Sequence, residues 1–324
     1  MSVSLNQLTC NLIEEKILPN LWELGLEKHV LNSGTTVIDF GINACGGYEA
    51  ARLFTLVTLG GLGEVKYANL KIDDIEVPSV AVRLSRPLES ALSSQFSAWK
   101  IKRAGEYQLP GFASGPARAI AYRDPIAKMW TYRDNYHKTA LALQTAELPD
   151  EEVAKEVCEA CGVEPQNVYL LAAKTGSLVG CVQIAARMAE VSLWGLGNFG
   201  FPLEKVKSFS GSAIIPPVVS DELIAMDRVN SSTLYGSIAR YIVDCEDEEI
   251  EKVLPHMYFS GTRHYKRSFA DLYDEAGRDI FKMDIDVHKV AVIEITNQRT
   301  GKTHRAGEMN YEMLAKSFGW CGNK

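Results

Sequence analysis

Three polar residues in an otherwise apolar run are the first place to look for chemistry. In GCVQIAARMAEVSLWGL, residues 180–196, Gln183, Arg187 and Glu190 stand among Val182, Ile184, Ala185, Ala186, Met188, Ala189, Val191 and Leu193. Advancing 100° per residue puts the three within an arc of roughly 60°, so the segment reads as one helix, apolar nearly all round, with a narrow polar stripe. Such a helix belongs in an interior, where charges persist only if paired or turned toward a polar cavity. Pairing along the helix is a weak reason for them. Arg placed before Glu is the less favourable order, and such pairs contribute only about 0.2–0.5 kcal/mol. Burial raises a carboxylate's pKa and an adjacent guanidinium lowers it, so a carboxylate under both influences can change protonation state, as general acid/base work requires. A buried ion-pair network gluing two domains is the alternative use of the same residues.

Glycine-rich turns form a second group. CGGYEA (45–50), ASGPAR (113–118) and KTGSLVG (174–180) each read as a strand-to-helix turn with small residues and backbone N–H groups at a helix start, where an anion or an electron-rich ligand edge is favoured. Pro116 suits the first helical position behind Ser114 or Gly115, and Thr175 or Ser177 can cap the third helix, with Lys174 beside it. Well-capped helices with no ligand are the plainer reading. Recurrence of the device is compatible with a shared pocket lined by Gly46, Gly47, Ser114, Gly115, Lys174, Thr175 and Ser177. GLGNFG at 195–200 satisfies GxGxxG but follows a helix rather than a strand, so it reads as a helix-stopping loop and not a dinucleotide fingerprint.

The elements that must carry these residues alternate from end to end. GTTVIDFGI reads as a strand and GGYEAARLFTLVTLGG as a helix; EVKYANLKID and VPSVAVRLS are paired strands, and LESALSSQFSAW is a helix. The strand TALALQTAEL leads to the acidic-started helix PDEEVAKEVCEACG and the strand NVYLLAA. This alternation predicts a mixed α/β fold of layered sheets and helices. QTAELPDEE concentrates polar and turn residues, placing the seam near 144–152. The expected domains are residues 1–147 and 148–324, the second carrying the Arg187/Glu190 helix, with allowance for the chain to cross between them.

A chain of 324 residues with 46% apolar and 23% charged residues is of the globular class, and a net charge of −7 argues against a dedicated nucleic-acid binder. No signal peptide or membrane span is read. Seven scattered cysteines suit reduced thiols in a cytoplasm. Cys158 and Cys161 form a lone CxxC inside a helical pattern, and the six histidines show no HxxxH or HxH grouping, so no metal site is expected.

KTGSLVGCVQIAARMAE resembles the core signature of the methenyltetrahydromethanopterin cyclohydrolase family of one-carbon metabolism. The likeness runs nearly end to end, through GTTVIDFG, GGYEAARLF, SGPARAIA, ELPDEEVA, CGVEPQNVYLLAAKT, IIPPV, LYGS and TGKTHRAGEMN in family order. AMDRVNSSTLYGS (225–237) departs from it, with Asp227, Val229, Ser231 and Ser237 where a version richer in Gly, Thr and Asp is expected. The resemblance implies two α/β domains with a large pocket between them, a homotrimer, and no metal or organic prosthetic group. Tetrahydromethanopterin would be the one-carbon carrier substrate. The implied reaction adds water, reversibly, to the cationic methenyl group bridging N5 and N10, giving the N5-formyl compound and a proton. The family's catalytic arginine and glutamate fall on Arg187 and Glu190. Gln183, one turn earlier, would position the substrate edge, and Glu147 would accept from the pterin's guanidine-like edge. An anionic substrate tail calls for cations: Lys100, Lys102 and Arg103, Arg118, and Arg263, His264, Lys266 and Arg267, the last group reading better as a solvated loop. Two other readings are a cyclohydrolase acting on a folate and a non-catalytic pterin-binding or assembly protein of the same fold, the latter motivated by residues 225–237.

Overall fold

The computed structural model describes residues 3–72, 75–101 and 112–320, and its strands form two six-stranded sheets of different character. In the first, the strands are β1 (Glu27–Val30), β2 (Thr36–Gly41), β5 (Trp99–Lys100), β6 (Phe112–Ser114), β7 (Thr139–Gln144) and β8 (Val168–Ala173), in the order β1-β2-β8-β7-β6-β5. β2, β8 and β7 run parallel, and β8 is buried at every position. That is why TALALQ and NVYLLAA are apolar without alternation: a parallel sheet is covered on both faces. The second sheet has the order β12-β11-β10-β9-β4-β3, from β3 (Glu64–Ile72), β4 (Ile75–Leu84), β9 (Val206–Ile214), β10 (Ser237–Val243), β11 (Val292–Asn297) and β12 (Thr303–Gly307). Here β10 alternates between buried and open positions, and its outer face carries Arg240 bonded to Glu294 of β11 at 2.6 Å, so one face of this sheet meets solvent.

The chain divides into two compact units, Met1–Gly63 with Leu88–Gln183 and Glu64–Pro87 with Ile184–Lys324, each holding one sheet. The turn at 144–152 lies inside the first unit, as the connection from β7 into a helix. Polar turn residues mark such a connection as readily as a linker. The chain instead passes between units after Gly63, Pro87 and Gln183.

Helices of the first unit are α1 (Leu5–Leu12), α2 (Leu21–Leu24), α3 (Tyr48–Thr58), α4 (Ala117–Ala121), α5 (Glu151–Cys161) and α6 (Leu178–Ala185), whose last two residues belong to the second. α5 has the ends its sequence announces: the Asp150 carboxylate accepts from the N–H groups of Glu152 and Val153, and Gly162 closes it in the left-handed region. Its Val153, Ala154 and Val157 join Val37, Leu141 and Leu170 in a buried cluster. The second unit contributes α7 (Met188–Asn198), α8 (Glu222–Gly236), α9 (Asp247–Val253), α10 (Phe269–Glu275) and α11 (Tyr311–Phe318). LESALSSQ, expected as an ordinary helix, is a π-helical stretch at Leu88–Gln95. Among the described residues no helix is long and apolar enough to cross a membrane.

Candidate functional site

The apolar run around Arg187 is two helices rather than one. α6 ends at Ala185, α7 begins at Met188, and Arg187 sits at the junction with φ −90° and ψ 8°. Its N–H donates to the Ile184 carbonyl at 3.0 Å, and the Glu190 N–H donates to the Arg187 carbonyl at 3.1 Å, both three-residue steps tighter than an α-turn. No glycine or proline lies between residues 181 and 192 to announce the break. The uniform 100° advance therefore fails there, and the polar stripe becomes a different arrangement. Glu190 occupies the first turn of α7, where N–H groups lacking intrahelical acceptors favour a negative charge. Arg187 Nη1 donates to Glu190 Oε2 at 2.9 Å, and the two side chains keep 9% and 7% of their surface exposed. The pair is nearly, but not completely, enclosed.

What holds that turn is the second sheet. Met188, Ala189, Ser192, Leu193 and Leu196 of α7 are buried, while Val191 and Trp194 are only partly so. Gly211 of β9 leaves room for the approach; a Cβ there would lie 2.9 Å from Met188 Cγ and 2.8 Å from the Ile238 carbonyl oxygen. Ser192 Oγ donates to the Met188 carbonyl at 2.5 Å and lies 2.6 Å from the Tyr241 hydroxyl of β10. Gln183 is buried on α6.

In the first unit, strand register collects most of the other expected residues on one edge. Lys100 pairs with Phe112, Phe112 with Gln144, Gln144 with Ala173 and Ala173 with Gly41, so these form one row across the sheet. Beyond the row lie the turns carrying Gly46 and Gly47, Glu147, and Lys174, Thr175 and Ser177. An edge formed by the carboxyl ends of parallel strands is where open α/β sheets place ligands. Ser177 is the cap of α6, accepting from the Gly180 N–H at 3.0 Å and donating to the Lys174 carbonyl at 2.8 Å. Thr175 lies two residues before that cap, and its hydroxyl accepts from Gln144 Nε2 at 2.6 Å. Two glycines make the packing possible: a Cβ on Gly180 would fall 2.1 Å from the Lys174 carbonyl oxygen, and one on Gly41 2.6 Å from Ser177 Oγ. Gly47 precedes α3, and the Gly46 N–H donates to the Gly25 carbonyl at 2.9 Å.

The turn ASGPAR goes elsewhere. β6 is antiparallel to β7, and Ser114 pairs with Ala142, so the chain leaves through Gly115 toward the opposite edge. Arg118, expected to meet an anionic tail, has a fully buried side chain. It makes a two-point pair with Asp124 at 2.7 and 3.1 Å and donates to the Leu92 and Ser94 carbonyls at 2.9 and 3.2 Å, so it is an internal strut. Arg263 and His264 pair with Asp284, and Arg267 with Glu275, leaving Lys266 exposed over the Tyr265 ring at 5.9 Å. The Asp286 N–H, helped by His264 and Arg263, holds the Asp284 carboxyl at about 2. Lys102 and Arg103 lie outside the described residues. GLGNFG closes α7: Gly195 and Gly197 are in its last turns and Gly200 follows at φ +85°. Cys158 and Cys161 are free thiols on α5.

Sequence reasoning passed over Asp39. Fully buried at the end of β2, its carboxylate accepts from the N–H groups of Gly41, Ile42, Asn43 and Ala44 at 2.9, 2.7, 2.8 and 3.2 Å, folding the segment that leads to Gly46 and Gly47. The available signal was an Asp followed at once by a turn-forming stretch, the pattern of side chains that bond their own backbone. The atypical segment 225–237 forms ordinary structure. Asp227 accepts from the Ala270 N–H and the Ser317 hydroxyl at 2.9 and 2.5 Å, and Ser237 donates to the Thr233 carbonyl at 2.6 Å, so its unusual residues anchor α8 within the second unit.

Comparison with known proteins agrees along the whole length. The family described as Cyclohydrolase (MCH) matches residues 4–318. The methenyltetrahydromethanopterin cyclohydrolase of Methanocaldococcus jannaschii is 36% identical over 95% of this chain and 96% of its own. Those of Methanococcus maripaludis and Methylobacillus flagellatus are 37% and 34% identical over 94% and 98% of this chain, and 95% and 96% of theirs. An internal ion pair in the first turn of α7, on the signature that carries the resemblance, and a match spanning both units point the same way: the chain belongs to the methenyltetrahydromethanopterin cyclohydrolase family.

Proposed function

We infer that this protein is a methenyltetrahydromethanopterin cyclohydrolase, an enzyme of one-carbon metabolism that interconverts the N5,N10-methenyl and N5-formyl forms of the carrier. The methenyl carbon is part of an amidinium-like cation and is already electrophilic. What the reaction needs is a water held against it and a group that moves protons. Glu190 takes one proton as the water oxygen bonds to the methenyl carbon, then returns it to N10 as the C–N10 bond breaks. The second water proton goes to solvent, so water and cation become the formyl compound and one released proton. Arg187 holds the carboxylate by a charge-assisted bond and keeps it oriented through both transfers. The observation that carries this reading is the Arg187–Glu190 pair, 2.9 Å apart and nearly enclosed in the first turn of α7.

Gln183 orients the substrate, and the edge bearing Gly46, Gly47, Lys100, Glu147, Lys174, Thr175 and Ser177 binds the rest of the carrier, with lysines for its anionic tail. The enzyme acts in the cytoplasm as a homotrimer. Sedimentation velocity tests the assembly, and a single-chain mass at working concentration refutes it. Glu190→Gln tests the chemistry. A folded variant that binds substrate but removes the methenyl ultraviolet absorbance at least about 100-fold more slowly is expected; near-normal turnover overturns the assignment.

A further inference from the structure

The first turn of α7 is tied down by a polar pair that packing alone does not call for. Tyr241 is fully buried in the middle of the second sheet, its ring 5.2 Å from Phe209. Phenylalanine would fill that space, whereas a buried hydroxyl must find partners or destabilise the fold. Its partners all belong to α7. The Tyr241 hydroxyl donates to Ser192 Oγ, 2.6 Å away, which donates in turn to the Met188 carbonyl at 2.5 Å, and the Ala189 carbonyl lies 3.4 Å from the phenol oxygen. Met188 and Ala189 immediately precede Glu190, and their carbonyls also lie in the first helical turn. A hydroxyl bonding back to a carbonyl four residues earlier bends a helix locally. Burial pushes the Tyr241 pKa up, keeping the phenol a neutral donor.

We propose that Tyr241, acting through Ser192 and the Met188 and Ala189 carbonyls, is a positioning residue that sets the orientation of the Glu190 carboxylate. This rests on the reading of Glu190 as the proton-transfer group. A misplacement of about 1 Å in a reacting group can lower a rate on the order of 100-fold, so a fraction of that displacement is expected to show as about tenfold. Replacing both hydroxyl-bearing residues tests it with the least damage, because removing the two partners of a buried hydrogen bond together is close to neutral for stability.

The experiment is a cycle on the full-length protein: Ser192→Ala/Tyr241→Phe in the parent and in Glu190→Gln, with kcat, KM and melting temperature measured for each. In the parent, kcat falls about tenfold while KM and melting temperature hold; in the Glu190→Gln background the same changes cost nothing, because the group they position is gone. An unchanged kcat in the parent, or an equal loss in both backgrounds, overturns the proposal. Tyr241→Phe alone, which leaves Ser192 its bond to Met188, is expected to show a smaller loss with the same dependence on Glu190. It decides the matter if the double variant does not fold. The separate arm in which Glu190→Gln alone turns over normally marks failure of the catalytic assignment rather than of the positioning.

Discussion

Replacing Asp39 by asparagine keeps its size and changes one oxygen into a donor. The carboxylate receives four N–H groups, Gly41 and Ile42 on one oxygen at 2.9 and 2.7 Å, Asn43 and Ala44 on the other at 2.8 and 3.2 Å. The amide is least badly placed with its NH2 toward Asn43 and Ala44, where the bonds are longer on average and Asn43 is exposed enough for water to replace one of them. One N–H is then left facing a donor, at about 1–3 kcal/mol, and the two remaining bonds lose their charge assistance. The expected cost is therefore about 2–4 kcal/mol, read as a lower urea midpoint for the first unit at unchanged m. Because the loosened segment leads to Gly46 and Gly47, KM for the methenyl substrate rises several-fold while kcat changes less. A variant within about 0.5 kcal/mol of the parent and with unchanged KM would refute the idea that this carboxylate organises the loop.

Arg118→Met leaves the Asp124 carboxylate, itself only 12% exposed, without its guanidinium; stability drops by about 3–5 kcal/mol with KM unaltered. A raised KM at parental stability would return Arg118 to the substrate. Burial holds the His288 imidazole, edge-on to Trp194 at 5.3 Å, down at about 4 against an ordinary 6.5. The folded ring stays neutral where the unfolded one is protonated, so unfolding takes up a proton between those values. Stability falls as pH drops from about 6.5 to about 4 and is fully present above that window. His288→Phe flattens this part of the urea-midpoint profile against pH; a profile as steep as the parent's would sink the argument.

Elements with strong local signals were legible in the sequence. Asp150 and Gly162 bracket α5 as its cap residues announce, and the uniformly apolar β8 is the buried parallel strand its composition suggests. The sequence also pointed to Arg187 and Glu190 as neighbours, and they are bonded. It misplaced how they become so. The residues from Cys181 to Ser192 are all tolerable in a helix, and the break at Arg187 arises where α7 turns onto the second sheet, a tertiary cause without a local mark. Arg118 was misread because an arginine beside a glycine-rich turn looks the same whether it awaits an anion or already holds Asp124 six residues on. Lys100, Lys174 and Ser177 were each expected at the substrate, but the sheet edge they share was not legible, since it depends on register across four strands.

The hairpin of β3 and β4 belongs to a sheet whose next strand, β9, is made more than a hundred residues later. As the polypeptide leaves the ribosome, the edge of β4 emerges well before the partner that will cover it. Nascent chains halted before Val206 should therefore be sticky and dependent on chaperones. For the same reason no single cut can release either half as an autonomous fragment: every truncation severs a sheet or strands a hairpin, and only an engineered rejoining of the ends could yield one alone.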